Sequence, residues 1–342
     1  MDAAAAVRML DDTARLAGVG PIGLSRMADI QELLGAEMRW VEAGLSQAAR
    51  DGLLPATDAA THLLRAGGKR VRPLCVLLAT MASGPVSDSA RELAICAEMV
   101  HLATLLHDDV VDDGDERRGE IAARRVYGNA VSVLAGDLLL VHALSRTAAV
   151  GRDDVLSELL STLRQLVLGE VVQLRGRTRL DLTEETYLKI LEGKTASLFR
   201  WALRSGARVG GACDAIVERF GIFGERLGMS FQLVDDALDY AGDPRELGKG
   251  LFADLREGKV TLPLIFAARD NPSLHEAFER AREGDELART EIVRAAAGAC
   301  GAVRARARAE SEAAVAALAP VPDSRAKRLL VGVARELPAR LT

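Results

Sequence analysis

The sequence predicts an all-α protein, and three observations carry that prediction. Aromatic residues make up only 4% of the 342 residues and hydrophobic residues 49%, with Ala, Leu, Arg and Glu abundant, a mix that favours helices over strands. Apolar residues recur at the helical period along almost the whole chain, whereas strand-like alternation never lasts more than a few residues. Pro and Gly gather in short clusters at 18–23, 65–73, 83–85, 242–250 and 319–323, which read as turns between helices. No composition shift marks a linker, so one domain is expected over residues 1–342, with 1–27 as an N-terminal extension.

The elements follow in order. ADIQELLGAEMRWVEAGLSQAAR (28–50) sets Ile30, Leu33, Leu34, Met38, Val41 and Leu45 on one broad face. SDSARELAICAEMVHLATLLHDDVV (87–111) is apolar on most sides, as a helix inside a bundle would be, with Ser87 or Asp88 as its N-cap. LTEETYLKILEGKTASLF (182–199) opens near Thr183, although neither Thr186 nor Glu185 completes an ideal capping box. DAIVERFGIFGERLGMSFQLVDDALDY (214–240) is a further long helix, softened by Gly221, Gly224 and Gly228. Residues 286–342, rich in Ala and Arg, read as surface helices broken near Pro320–Pro322.

Composition excludes several classes. A net charge of −5 gives no basic field for nucleic acid, and the few aromatics offer little for base stacking. Cys75, Cys96, Cys213 and Cys300 form no CxxC pair, so they are expected to be reduced, mostly buried thiols in a cytoplasmic protein. The first residues, MDAAAAVRMLDD, carry acids where a signal peptide needs its apolar run. The longest apolar stretch, AVSVLAGDLLLVHAL, is interrupted by Asp137, so no transmembrane segment is expected.

One pattern does recur: Asp-Asp-x-x-Asp, at 108–112 and again at 235–239. Asp108 and Asp112 lie four apart, hence on one helix face about 6 Å apart along the axis, and Asp235 and Asp239 repeat the spacing. Asp109 and Asp236 sit about 100° around the helix. Each close pair of carboxylates would repel by roughly 2–3 kcal/mol at an effective dielectric near 20, so a cation has to offset them. Hard oxygen donors without His or Cys suit Mg²⁺. A single such motif is usually a solvated charge cluster, but both copies follow apolar runs, HLATLLH and MSFQLV, where solvated acids have no reason to be.

Cations accompany the acids. RAGGKRVRP (65–73) supplies Lys69, Arg70 and Arg72, ERRG supplies Arg117 and Arg118, GKTASL supplies Lys194 and Thr195, and LGKGLFADLREGK supplies Lys249 and Lys259. Arg offers a bidentate fork and Lys a point charge for phosphate oxygens. No GxxxxGK[ST] is present and no strand precedes GGKR, so this is not a P-loop protein.

Together these residues resemble the trans-type polyprenyl diphosphate synthases, from about residue 28 to 270. The matching stretches are GGKRVRP, HLATLLHDDVVDDGDERRG, AGDLLL, LGEVVQL, EGKTASLF, FQLVDDALDY and LGKGLFADLREGKVTLPLI, in family order. The resemblance implies the isoprenoid synthase fold, a single large helical bundle around a deep central cavity, as a homodimer. It implies 1'-4 condensation of isopentenyl diphosphate with an allylic prenyl diphosphate, with three Mg²⁺ ions when substrate is bound. By the same resemblance Asp108 and Asp112 hold metal from one side and Asp235 from the other, with Asp109, Asp236 and Asp239 in support. Arg117, Lys194, Thr195, Gln232, Lys249 and Lys259 correspond to the allylic diphosphate contacts, and Lys69, Arg72, His101 and Arg118 to the isopentenyl site. His101 lies seven residues before Asp108, two turns away on nearly the same face, which supports its assignment over that of an ordinary core histidine. His107 reads as structural.

In the family, a bulky aromatic four or five residues before the first Asp caps a short product. Here those positions are Ala103 and Thr104, with Val100 and Ala97 one and two turns deeper. A product of geranylgeranyl length or longer is therefore expected, unless Leu134, Leu138 or His142 supplies a floor. Gly250 departs from the Pro of many relatives, and Asp113 and Asp115 have no assigned role. Two other readings compete. A terpene cyclase of the same fold would not keep two Asp-rich motifs together with GGKRVRP, and a non-catalytic subunit of a heteromeric synthase would be expected to have lost one motif.

Overall fold

Pro21 opens helix α1 (Pro21–Ala48), the first position of a helix being where proline's missing N–H costs nothing. The turn read at 18–23 therefore already contains the start of the helix. The computed structural model describes residues 21–179, 183–241, 258–282 and 284–338. The remaining helices are α2 (Ala56–Arg65), α3 (Val71–Ser83), α4 (Asp88–Val111), α5 (Ala123–Tyr127), α6 (Asn129–Ala149), α7 (Asp153–Arg179), α8 (Glu184–Leu191), α9 (Ser197–Val209), α10 (Asp214–Ala241), α11 (Leu262–Asp270), α12 (Leu274–Arg282), α13 (Glu286–Ala317) and α14 (Arg325–Glu336). Among the described residues the only strands are β1 (Glu116–Arg117) and β2 (Glu120–Ile121), a two-residue antiparallel hairpin. The all-α expectation is thus met, and the hairpin is too short to leave a period-2 trace in the sequence.

The chain forms two compact units whose segments interleave. The first comprises residues 1–161, 198–224 and 317–332, the second 162–197, 225–316 and 333–342. Within the first unit, α4 is the central element. Ser87 caps it by accepting from the Ala90 N–H at 3.3 Å, as expected. Leu93 through Val100, together with Leu102, Ala103 and Leu106, are buried. Its most extensive partner is α6, against which His107 Nε2 donates to the Val133 carbonyl at 3.2 Å and lies 3.3 Å from Asp137, so His107 is structural. In the second unit Leu233, Ala237, Leu264, Ile265, Ile292, Ala296 and Val303 build a continuous core.

Two further expectations are corrected. The run 182–199 is not one helix: α8 ends at Leu191, residues Glu192–Ala196 form a single π turn, and α9 begins at Ser197. The residues are ordinary helix formers, so only tertiary packing could have revealed the extra residue per turn. The C-terminal helices are not purely superficial, since α13 buries Ala288, Ile292, Ala296, Cys300, Val303 and Ala307 at helical spacing. Ala is small enough to read as surface but also allows close helix packing. Among the described residues α6 is long and apolar enough to cross a bilayer by length and composition alone.

Candidate functional site

The first acidic motif is the C-terminal end of α4. The Asp112 N–H donates to the Asp108 carbonyl at 2.8 Å, which keeps the two residues one turn apart on a half-buried face. Asp109 is different, at 0% exposure. Its Oδ1 accepts from Arg117 Nε at 2.7 Å and from Arg117 Nη2. Burial pushes its carboxyl up from the ordinary value, while the Arg117 guanidinium pulls it back. Asp113 and Asp115 also find a role. Arg124, which no motif singles out, donates to the Gly114 carbonyl at 2.6 Å, to Asp113 Oδ1 at 3.1 Å and to Asp115 Oδ1 at 2.9 Å. The loop that carries Arg117 and Arg118 is therefore fastened to the motif at both ends.

The basic residues of the same unit surround Arg118. Burial lowers its pKa to about 10, with Glu98 opposing the shift and Arg70, Arg117 and Arg72 adding to it. Its Nη1 is buried without a hydrogen-bond partner. A Cβ added to Gly68 would lie 2.7 Å from Arg70 Nη1 and 2.8 Å from Arg118 Nη1, so the glycine gives both guanidinium groups room beside the GGKR backbone. The Arg72 guanidinium stacks 4.8 Å from the Phe199 ring centroid. His101 is held neutral by burial first and then by Arg72, Arg118, Arg70 and Arg117. Arg70 is held by two acids: Nε donates to Glu42 Oε1 at 2.7 Å and Nη1 to Glu98 Oε1 at 3.0 Å. Lys69 is half-buried. Lys69, Arg72, His101 and Arg118 thus fall within one unit, and Glu42 and Glu98 are the supporting residues that sequence reasoning missed.

The second acidic motif lies in α10 of the other unit. Asp235 is half-buried, Asp236 is 3% exposed and Asp239 1%. Asp236 Oδ2 accepts from the Tyr187 hydroxyl at 2.6 Å and Oδ1 from Gln232 Nε2 at 2.8 Å. Gln232 Oε1 in turn accepts from the Thr195 hydroxyl at 2.9 Å. Thr195 and Lys194 ride on the π turn, a distortion that frequently marks functional positions. Helix α7 reaches this turn closely because Gly169 has no side chain: a Cβ there would meet Lys194 N at 2.9 Å. The neighbouring Glu170 pairs with Lys194. Tyr187 and Glu170 are further residues that motif reading did not find, since each is distant in sequence from its partner. Lys259 is half-buried in the same unit, and Lys249 lies outside the described residues.

Among the described residues no three His, Cys, Asp or Glu side chains form a group able to hold a metal by themselves. Pairs of carboxylates without soft ligands do fit Mg²⁺, which takes one or two carboxylates and completes its shell with water and phosphate oxygens. Of the residues expected to set product length, Ala97, Val100 and Ala103 are fully buried and Thr104 is half-buried. Leu134 is 60% exposed and does not serve as an interior floor of its own unit. Leu138 packs toward Gly52, and His142 Nε2 donates to the Asp51 carbonyl at 2.8 Å.

Comparison with known proteins places this arrangement. The family model described as polyprenyl synthetase matches residues 55–297. The chain is 36% identical over 310 residues to the octaprenyl diphosphate synthase of Escherichia coli (strain K12), covering 89% of this chain and 96% of that protein. It is 37% identical over 245 residues to heptaprenyl diphosphate synthase component 2 of Geobacillus stearothermophilus, covering 72% of this chain and 77% of that protein. A crystal structure of polyprenyl synthase from Caulobacter crescentus, complexed with calcium and isoprenyl diphosphate, superposes with a TM-score of 0.87 at 37% identity, covering 92% and 97% of the two chains. With its all-α fold, its paired acidic motifs and a match across most of its length, the chain belongs to the polyprenyl synthetase family and is a prenyltransferase of the trans-polyprenyl diphosphate synthase type.

Proposed function

We propose that this enzyme joins isopentenyl diphosphate to an allylic prenyl diphosphate in Mg²⁺-dependent 1'-4 steps and releases pyrophosphate. Its all-trans product would have geranylgeranyl length or more. The observation that carries this reading is Arg118. A half-buried guanidinium that has Glu98 and three other arginines around it, with one buried nitrogen left without a hydrogen-bond partner, leaves an excess of positive charge that a diphosphate would offset. Lys69, Arg72 and Arg118 bind the isopentenyl diphosphate, with neutral His101 as a hydrogen-bonding neighbour that adds no further positive charge. Arg117, Lys194, Thr195, Gln232, Lys249 and Lys259 hold the allylic diphosphate.

Asp108, Asp112 and Asp235 would bind Mg²⁺, three ions with substrate present, and Asp109, Asp236 and Asp239 support them. Bound there, Mg²⁺ would supply charge neutralisation for the departing pyrophosphate. The cationic side chains orient the diphosphate and stabilise the same charge as the allylic C1–O bond breaks. The isopentenyl double bond attacks C1, forming the new C–C bond, and the released pyrophosphate takes the C2 proton. No protein base is needed. The test is turnover of purified enzyme with farnesyl diphosphate, labelled isopentenyl diphosphate and Mg²⁺. Chain-elongated product is expected. A cyclic hydrocarbon formed from the allylic substrate alone would support a terpene cyclase, and no product would support a non-catalytic subunit.

The wall of α4 supports the longer product. Ala97, Val100 and Ala103 present no aromatic ring, and Ala103→Phe is expected to shift the product to shorter chains on chromatographic sizing. An unchanged spectrum would sink this assignment. Helix α6 exposes Val133, Leu134 and Val141. A patch of this kind is what a second copy of the chain would cover, in support of a homodimer. Three of the four cysteines are buried free thiols, in keeping with a reducing cytoplasm.

A further inference from the structure

Tyr187 has no part in the chemistry above, yet its hydroxyl bonds directly to the second acidic motif. It lies 49 residues before Asp236, is 3% exposed, and donates to Asp236 Oδ2 at 2.6 Å. That length is typical of a hydroxyl bonded to an ionised carboxylate. Gln232 Nε2 occupies the other oxygen at 2.8 Å, and the Thr195 hydroxyl fixes the opposite end of the same amide at 2.9 Å. The four side chains therefore tie α8, α10 and the π turn together through hydrogen bonds, all within one unit.

This occupation bears on what Asp236 can do. Mg²⁺ demands near-ideal octahedral geometry and keeps much of its water, so it favours carboxylates with accessible lone pairs. Asp235, one residue earlier, is half-buried, whereas Asp236 is buried with both oxygens engaged by protein donors. In the first motif, within its own unit, Asp108 and Asp112 are half-buried and the buried Asp109 is engaged by Arg117 through Oδ1 alone. We propose that Tyr187 is a positioning residue: its hydroxyl holds Asp236, the supporting carboxylate of the second motif, as a clamp, and through it sets Asp235, Gln232 and Thr195. Outer-shell partners of this kind typically shift metal affinity 10–100-fold when removed. The inference rests on the metal-binding reading given above.

Mn²⁺ binding followed by electron paramagnetic resonance, in the presence of inorganic pyrophosphate, tests it without turnover. Asp235→Asn should lose at least one bound ion. Asp236→Asn and Tyr187→Phe should keep the wild-type number of ions, with half-saturation raised about tenfold or more. Phe retains the ring in the same buried core cluster as Leu191, Leu233 and Ala237, and Asp236→Asn provides an isosteric second variant should Tyr187→Phe fail to fold. Loss of an ion in Asp236→Asn would make that residue a ligand and overturn the clamp. Wild-type Mn²⁺ affinity in Tyr187→Phe would remove the positioning role. If Asp235→Asn instead keeps every ion, the metal-binding reading itself fails, and the clamp with it, by a pattern distinct from either.

Discussion

Asp108→Ala and Asp235→Ala are each expected to lower turnover at saturating Mg²⁺ by on the order of 10²–10³-fold at least, the scale seen when one electrostatic stabiliser of a developing charge is removed. The physical asymmetry makes the experiment clean. Both side chains are half-buried, so truncation leaves no large cavity. The folded state should therefore survive the substitution while activity collapses. Asp109→Ala is a useful contrast, because it removes the buried carboxylate that holds Arg117 and should lower both stability and activity. Turnover of Asp108→Ala or Asp235→Ala within tenfold of wild type would refute their role as metal ligands.

What could be read from the sequence follows from how far apart the interacting residues lie. Asp108 and Asp112 are legible because a helix brings residues four apart together, and their geometry follows from spacing alone. Lys194 and Thr195 are legible because they stand inside one short motif. The supporting residues are not. Tyr187 and Asp236 are 49 residues apart, Arg70 is 28 from both Glu42 and Glu98, and each pair meets only through tertiary packing. Single charged residues such as Glu42 and Glu98 look like any surface acid until the structure shows them buried. The π turn escaped for a related reason: its five residues have ordinary helical character, and the Gly169 contact that accompanies it comes from α7. Asp113 and Asp115 looked like surplus charge because their partner, Arg124, lies beyond the hairpin.

Arg70→Ala is expected to destabilise the protein by about 3–5 kcal/mol, the usual cost of stranding buried charges by removing their partner. Arg70 is 4% exposed on its side chain, Glu42 11% and Glu98 2%, so the two glutamates would be left in a poorly solvated setting. The Arg70 backbone adds a second element, with φ at 48°, a left-handed conformation that a non-glycine residue adopts only under constraint. The guanidinium held by Glu42 and Glu98 supplies that constraint, at the point where GGKR passes into α3. Replacing all three residues with apolar ones, Glu42→Leu, Arg70→Met and Glu98→Leu, should recover most of the lost stability, because no charge then remains stranded. It should not restore binding of isopentenyl diphosphate. Glu98 is also the acid that offsets the charge of Arg118, and without the triad the Lys69–Arg72 segment loses its fixed approach. Denaturant unfolding and the KM for isopentenyl diphosphate separate the two effects. A triple variant as unstable as Arg70→Ala would show that the triad's value is geometric rather than electrostatic, and a normal KM in that variant would show that the diphosphate site does not depend on it.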